Sequence, residues 1–195
     1  LLAGLAIAVS IYVQIPVAAK TTRINADGGS RALVLYHPDK LGAFTDDLSS
    51  AIADELAKHG FDVMLHTMTP AQPPDPRSFA LVAVVSNTYY WAPDRPTRKL
   101  LEELRFDGVM TIGLIGGAGS TDRAQRLFVE SLRSAGAELY DVRAFWILRP
   151  NDETRLQEPN RGVAIDMARR FAAQAAAAHN SAGTRASSSR SFSHQ

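Results

Sequence analysis

The sequence contains no cysteine. That excludes disulfides, Cys-containing zinc sites, iron–sulfur ligation and a thiol nucleophile. It also lacks an excess of either charge: 21 Lys and Arg against 20 Asp and Glu leave a formal net charge of +1, so no whole-chain field argues for a nucleic-acid partner. Neither a Walker lysine pattern nor a Gly-x-Gly-x-x-Gly fingerprint is present, which argues against P-loop and dinucleotide binding. Ser86 and Ser120 follow apolar runs but lack the glycines of a nucleophile elbow. His59 and His66 are isolated, and no His/Asp/Glu spacing resembles a metal site.

At 195 residues and 46% apolar content, the chain can bury one domain and still carry tails. Residues 1–19 hold no charge and meet Lys20 and Arg23. As a helix they would extend roughly 29 Å, close to the ~30 Å hydrocarbon core of a bilayer. This segment reads as a transmembrane anchor or, given Val17-Ala18-Ala19, as the end of a signal segment. Lys20, Arg23 and Arg31 beyond it predict a single-pass protein of the inner membrane with its globular domain in the cytoplasm. Residues 20–30 are polar and Gly-rich and read as a linker, residues 31–179 as the domain, and residues 180–195 as a disordered Ser- and Arg-rich tail.

Within the domain, strand and helix patterns alternate. Ala32 to Tyr36, Phe61 to Leu65, Phe79 to Ser86, Val109 to Ile115 and Glu138 to Leu148 read as strands. Residues 45–59 carry Leu48, Ile52, Ala53 and Leu56 at helical spacing, with Gly60 in the C-cap place. Further helices are expected over Pro96 to Leu104, Thr121 to Ala135 and Arg155 to about Ala178. The Pro-rich stretch 69–77 leaves no room for a full second crossover helix. Five strands with crossovers imply a doubly wound parallel α/β sheet, whose ligands bind beyond the carboxyl ends of the strands.

Three loops therefore matter. The first runs from His37 to Thr45, HPDKLGAFT. Gly42 has the backbone freedom for a tight turn, Lys40 can reach an anion, and Thr45 can cap the following helix or bond an oxyanion. The same residues also suit an ordinary turn with a solvated Lys40. His37 suits either a ligand contact or a satisfied turn, and Asp46-Asp47 complement the helix dipole. The second loop, Ser86-Asn87-Thr88-Tyr89-Tyr90-Trp91, offers aromatic faces to a planar ring, or packs on neighbouring loops or a lipid surface. The third, Gly116-Gly117-Ala118-Gly119-Ser120, either exposes amides to a close ligand or makes a tight strand-to-helix turn.

Taken in order, LVLYHPDKLGAFTDDLSSAIADELAKHGFDV, FALVAVVSNTYYWAPDRP and VMTIGLIGGAGS make residues 31 to about 150 resemble the flavodoxin-like family. With the apolar run in front, the chain looks like a membrane-anchored member. The resemblance implies a five-stranded sheet of order 2-1-3-4-5 and FMN as cofactor. It implies a phosphate held by Lys40, Gly42, Ala43, Phe44 and Thr45, with His37 nearby. Ser86, Asn87, Thr88, Tyr89 and Trp91 would meet the isoalloxazine ring, Tyr89 or Trp91 stacking on it. Gly116, Gly117, Gly119 and Ser120 would meet its pyrimidine side. Electron transfer to an unidentified redox partner protein or small-molecule acceptor is the implied activity. A flavin-free, membrane-localised binding module and an NAD(P)H-dependent quinone or flavin reductase stand beside it.

Overall fold

The computed structural model describes residues 9, 12–40, 42–69 and 73–191 of the chain. Its strands are β1 (Thr21–Ile24), β2 (Arg31–Tyr36), β3 (Asp62–Thr67), β4 (Leu81–Tyr89), β5 (Ala92–Pro93), β6 (Met110–Gly117) and β7 (Glu138–Trp146). Its helices are α1 (Phe44–Lys58), α2 (Arg95–Glu103), α3 (Asp122–Ser134) and α4 (Asn160–Ser191). The sheet order is β1-β3-β2-β4-β6-β7, with β5 paired to β4. The middle of that path, β3-β2-β4-β6-β7, is parallel throughout and is the expected 2-1-3-4-5 arrangement.

Alternation of side chains across the strands explains the three layers. Ala32 and Val34 of β2 face a core shared with Leu48 and Ile52 of α1 and with Ala164, Ala168 and Phe171 of α4. Leu33 and Leu35 face the opposite core, shared with Leu100 of α2, Phe106, and Phe128 and Leu132 of α3. The path from β3 to β4 carries a single 3-10 turn, Pro76–Ser78, among its described residues. That agrees with the proline-limited crossover read from the sequence. The strand β7 is continuous past Arg143, with a register shift against β6 between Thr111 and Ile112.

Several expectations need correction. The sheet has more than five strands, because residues read as a linker form β1, antiparallel to β3. The Arg23 guanidinium makes a two-pronged pair with the Asp62 carboxylate, and Thr21 Oγ1 lies 2.7 Å from His66 Nδ1. A Cβ on Gly28 would stand 2.4 Å from the Asp62 amide nitrogen, so the turn after β1 closes directly on β3. The side chains of this strand are mostly exposed, so its sequence carries no apolar alternation. At the other end, α4 continues through Ser191, past Asn180, where the expected tail begins. The Ala-rich run at 172–178 has the best helix propensity, and the helix extends beyond it into the Ser-rich residues.

Among the described residues, no helix is long and apolar enough to cross a membrane. Residues 1–8, 10 and 11 of the expected span lie outside the described residues. The described remainder is not one continuous helix: helical structure ends at Val13 and residues 16–20 are non-helical, and Pro16 disfavours a helix running through it. This segment lies against the domain. Val13 is buried at 2% exposure, Thr67 Oγ1 donates to the Ala18 carbonyl at 3.0 Å, and the Lys20 amide donates to Thr67 Oγ1 at 2.8 Å. Because β1 runs antiparallel to β3, the segment leading into it comes from the carboxyl end of the parallel strands.

Candidate functional site

The three loops lie side by side at that carboxyl end, following β2, β4 and β6, which are neighbours in the sheet. Loop one turns into α1 through Ala43, which sits in the left-handed region at φ 54° and leaves the helix without a side-chain cap. Helix geometry then leaves the amides of the first turn without intrahelical acceptors, at the positive end of the macrodipole. Gly42 and Ala43 are exposed, whereas Phe44 is buried beneath loop three, where a Cβ on Gly116 would meet the Phe44 ring at 3.4 Å.

The charges around this helix end are not those the sequence suggested. Lys40 Nζ donates to the carbonyls of Tyr12 and Ile15 at 3.0 and 2.8 Å and lies 4.9 Å from the centre of the Tyr12 ring. The Asp46 carboxylate accepts from the Asp39 amide at 2.9 Å. Burial raises the Asp46 carboxyl above its usual range, against the lowering effect of amide bonds from Asp39 and Asp46 itself. The cation at the helix end is Arg161, from the first turn of α4. Its guanidinium pairs with Asp47 at 2.6 Å and donates to the carbonyls of Gly42 and Ala43 at 2.8 and 3.2 Å.

Behind loops one and two lies a buried polar network. Thr45 Oγ1 donates to Asn87 Oδ1 at 3.2 Å, and Asn87 Nδ2 donates to the His37 carbonyl at 3.0 Å. The Asp94 carboxylate accepts from the Thr97 amide at 2.8 Å, and from the Asn87 amide and Ser86 Oγ at 2.9 Å each. His37, Thr45, Ser86 and Asp94 are all fully buried. The His37 ring stands between partners: Nε2 is 3.4 Å from the Ile15 carbonyl, and Nδ1, 3.6 Å from Asp94 Oδ1, makes no hydrogen bond. These side chains therefore fasten the loops to one another, and the Thr45 hydroxyl is engaged inside the protein.

Loop two is a hairpin. Thr88 pairs with Pro93 and Tyr89 with Ala92, leaving Tyr90 and Trp91 as its two-residue turn. Both adopt left-handed φ, at 52° and 57°, where bulky residues are uncommon and strained. A two-residue turn with positive φ at both positions matches the twist of its strands but ordinarily takes Asn and Gly. Here it holds two aromatic side chains outward, at 64% and 58% exposure. Tyr89 is half-buried instead. Burial pushes its phenol well above the usual tyrosine value, reinforced by the charges of Asp39 and Asp94.

Thr88, Tyr90, Trp91, Ala118, Gly119 and Ser120 line a cleft of about 270 Å³ between the second and third loops. Thr88 Oγ1 is buried without a hydrogen-bond partner. Gly117 closes the third loop against its neighbours: a Cβ there would stand 2.7 Å from Thr121 Cγ2 and 3.2 Å from Thr88 Cβ. The Trp146 indole donates to Thr121 Oγ1 at 3.0 Å and fixes the far side of the turn.

The fold thus brings Thr88, Trp91, Gly119 and Ser120 together at the cleft and Gly42, Ala43 and Phe44 at the helix end. It places His37, Thr45, Ser86 and Asn87 in the network behind them. Sequence reasoning missed Asp94, Arg161 and the turn role of Tyr90. The Asp94-Arg95-Pro96-Thr97 string carries a helix-start signal that reveals Asp94. No local signal joins Arg161 to Gly42, which is 119 positions away.

No family model matches the sequence, and no curated protein sequence matches it. Solved structures do. An archaeal flavodoxin superposes with a TM-score of 0.60 at 16% identity, over 77% of this chain and 99% of that one. The flavodiiron core of Flv1 from Synechocystis gives 0.60 at 17% identity, over 81% of this chain and 38% of that one. An oxidised flavodoxin from Bacillus cereus gives 0.57 at 11% identity, over 75% and 97%. At these identities the likeness is one of fold, and the fold is flavodoxin-like.

Proposed function

We propose that this chain, with its flavodoxin-like fold, binds FMN at the carboxyl end of its sheet and transfers electrons through it. The observation that carries this reading is the pairing, on one edge, of an uncapped helix end with a cleft walled by two outward aromatic rings. The chemistry of the two parts matches the two ends of the cofactor. Free amides at a helix N-terminus suit a phosphate, and aromatic faces suit a planar ring. Archaeal and Bacillus flavodoxins among the structural neighbours support the same assignment.

Tyr90, Trp91 and the 118–120 turn would hold the ring, and the buried Thr88 hydroxyl beside them has no hydrogen-bond partner among the described residues. The first-turn amides of α1 would hold the phosphate, with Arg161 supplying the positive charge in place of Lys40. When bound, the flavin supplies one- or two-electron redox chemistry, and the protein orients it and tunes its surroundings. The uncharged residues 1–19 support a membrane tether, with the domain on the cytoplasmic side of the inner membrane.

A second reading, a flavin-free binding module, is favoured by the carboxylates of Asp39 and Asp46 at the helix end and by the engaged Thr45 hydroxyl. Titration of the purified full chain with FMN decides between them. Saturable quenching of flavin fluorescence at one flavin per chain supports the first reading, and unquenched fluorescence throughout supports the second.

A further inference from the structure

The large apolar side chains left in solvent are not spread over the surface. Among the described residues, all but Val9 and Tyr140 sit at the carboxyl end of the sheet. Tyr12 and Ile15 come from the segment before β1, which Lys40 and Thr67 hold against loop one and β3. Tyr90 and Trp91 come from the hairpin turn. Ile147, Leu148 and Leu156 come from the connection between β7 and α4. There the amides of Ile147 and Leu148 donate to the carbonyls of Gly117 and Ala118, placing them beside loop three. Leu148 is 81% exposed and Leu156 62%. Such concentration of apolar surface at one end marks a contact with something apolar.

We propose that this carboxyl rim lies on a lipid bilayer, with Leu148 and Leu156 seated at the membrane interface and the outer edges of Tyr90 and Trp91 beside them, the cleft side of those rings being left to the flavin. The inference extends the tether reading by naming the face that meets lipid. Lipid is favoured as the occupant because the uncharged run that precedes Tyr12 joins the domain at this same end. Trp and Tyr beside aliphatic side chains are the residues that settle at headgroup depth.

Several of the cations nearby are engaged within the protein. Lys40 bonds backbone carbonyls, Arg149 lies 4.5 Å from the Trp146 ring centre, Arg155 pairs with Glu158 and Asp166, and Arg161 pairs with Asp47. Apolar contact is the attraction proposed, and unlike attraction between exposed charges it is little screened by salt, so zwitterionic vesicles test it directly.

The test uses the full chain carrying Trp146→Phe, so that Trp91 is the only tryptophan, mixed with phosphatidylcholine vesicles with and without brominated acyl chains. The expected result is co-flotation with vesicles and at least a twofold loss of Trp91 emission with brominated lipid, insensitive to salt. Adding Leu148→Asp and Leu156→Asp, both at exposed positions, is expected to restore most of that emission. Flotation with unquenched Trp91 overturns the proposal while leaving the tether standing, since the chain would then be held by its N-terminal residues alone. Failure to float overturns both.

Discussion

Asp94 is the residue on which the second loop hangs, and its loss has a cost that follows from its contacts. The carboxylate is fully buried, caps α2 through the Thr97 amide, and takes the Asn87 amide and the Ser86 hydroxyl on its other oxygen. Asp94→Ala removes a helix cap, at about 1 kcal/mol. It also leaves the buried Asn87 amide without an acceptor, at about 1 to 3 kcal/mol, while the Ser86 hydroxyl keeps the Asn87 carbonyl 3.1 Å away. The sum is about 2 to 4 kcal/mol, a large fraction of the roughly 5 to 15 kcal/mol that stabilises an ordinary domain. Asp94→Asn keeps an acceptor for Thr97 but turns a donor toward the Asn87 amide, so about 1 to 2 kcal/mol is expected. Urea unfolding followed by circular dichroism reads both: the midpoint of the alanine variant should fall by roughly 1 to 2 M, since the slope is about 1–3 kcal/mol per M. An alanine variant within about 1 kcal/mol of the parent, or one equal to the asparagine variant, would show that the network does not hold the loop.

Three further outcomes are expected. Gly117→Ala should destabilise by about 1 to 3 kcal/mol through overpacking, and adding Thr121→Ser, which removes the clashing methyl but keeps the hydroxyl that accepts from Trp146, should recover most of it. Arg161→Gln should weaken FMN binding about fivefold, as loss of an exposed ion pair of about 1 kcal/mol does, and leave riboflavin binding unchanged; equal loss for both would make Arg161 a prop for the loop alone. Arg23 holds the Asp62 carboxyl below its usual range through their paired hydrogen bonds. A depressed carboxylate lends stability above its unfolded value of roughly 3.9 and loses it as pH falls through the folded value. The stability gap between the parent and Arg23→Gln should therefore be steady near neutrality and close in acid; a gap that widens in acid contradicts the pairing.

The interior strands were legible because burial on both faces leaves continuous apolar runs such as FALVAVVS, and α1 because its apolar stripe recurs at helical spacing. The edge strand β1 was not, since Thr21 to Ile24 bury almost nothing and are held by an ion pair and a His–Thr contact to residues some 40 positions on. The loops were legible as loops, but the orientation of their side chains was not. Thr45 points into the protein because Asn87 is there to accept from it, and Lys40 is drawn aside by carbonyls of a segment that reads as membrane helix. A Tyr–Trp turn with positive φ at both residues runs against ordinary turn chemistry. Local rules fail there, at the wall of the cleft, where a functional constraint is expected to override them.

The decisive measurement is the absorbance and fluorescence of the full chain titrated with FMN. The structure leads us to expect one flavin bound per chain, with its fluorescence quenched against Tyr90 and Trp91 and its affinity lowered several-fold in Trp91→Ala. A flavin whose spectrum and fluorescence stay those of free FMN at every protein concentration would contradict the assignment of this edge as a flavin site.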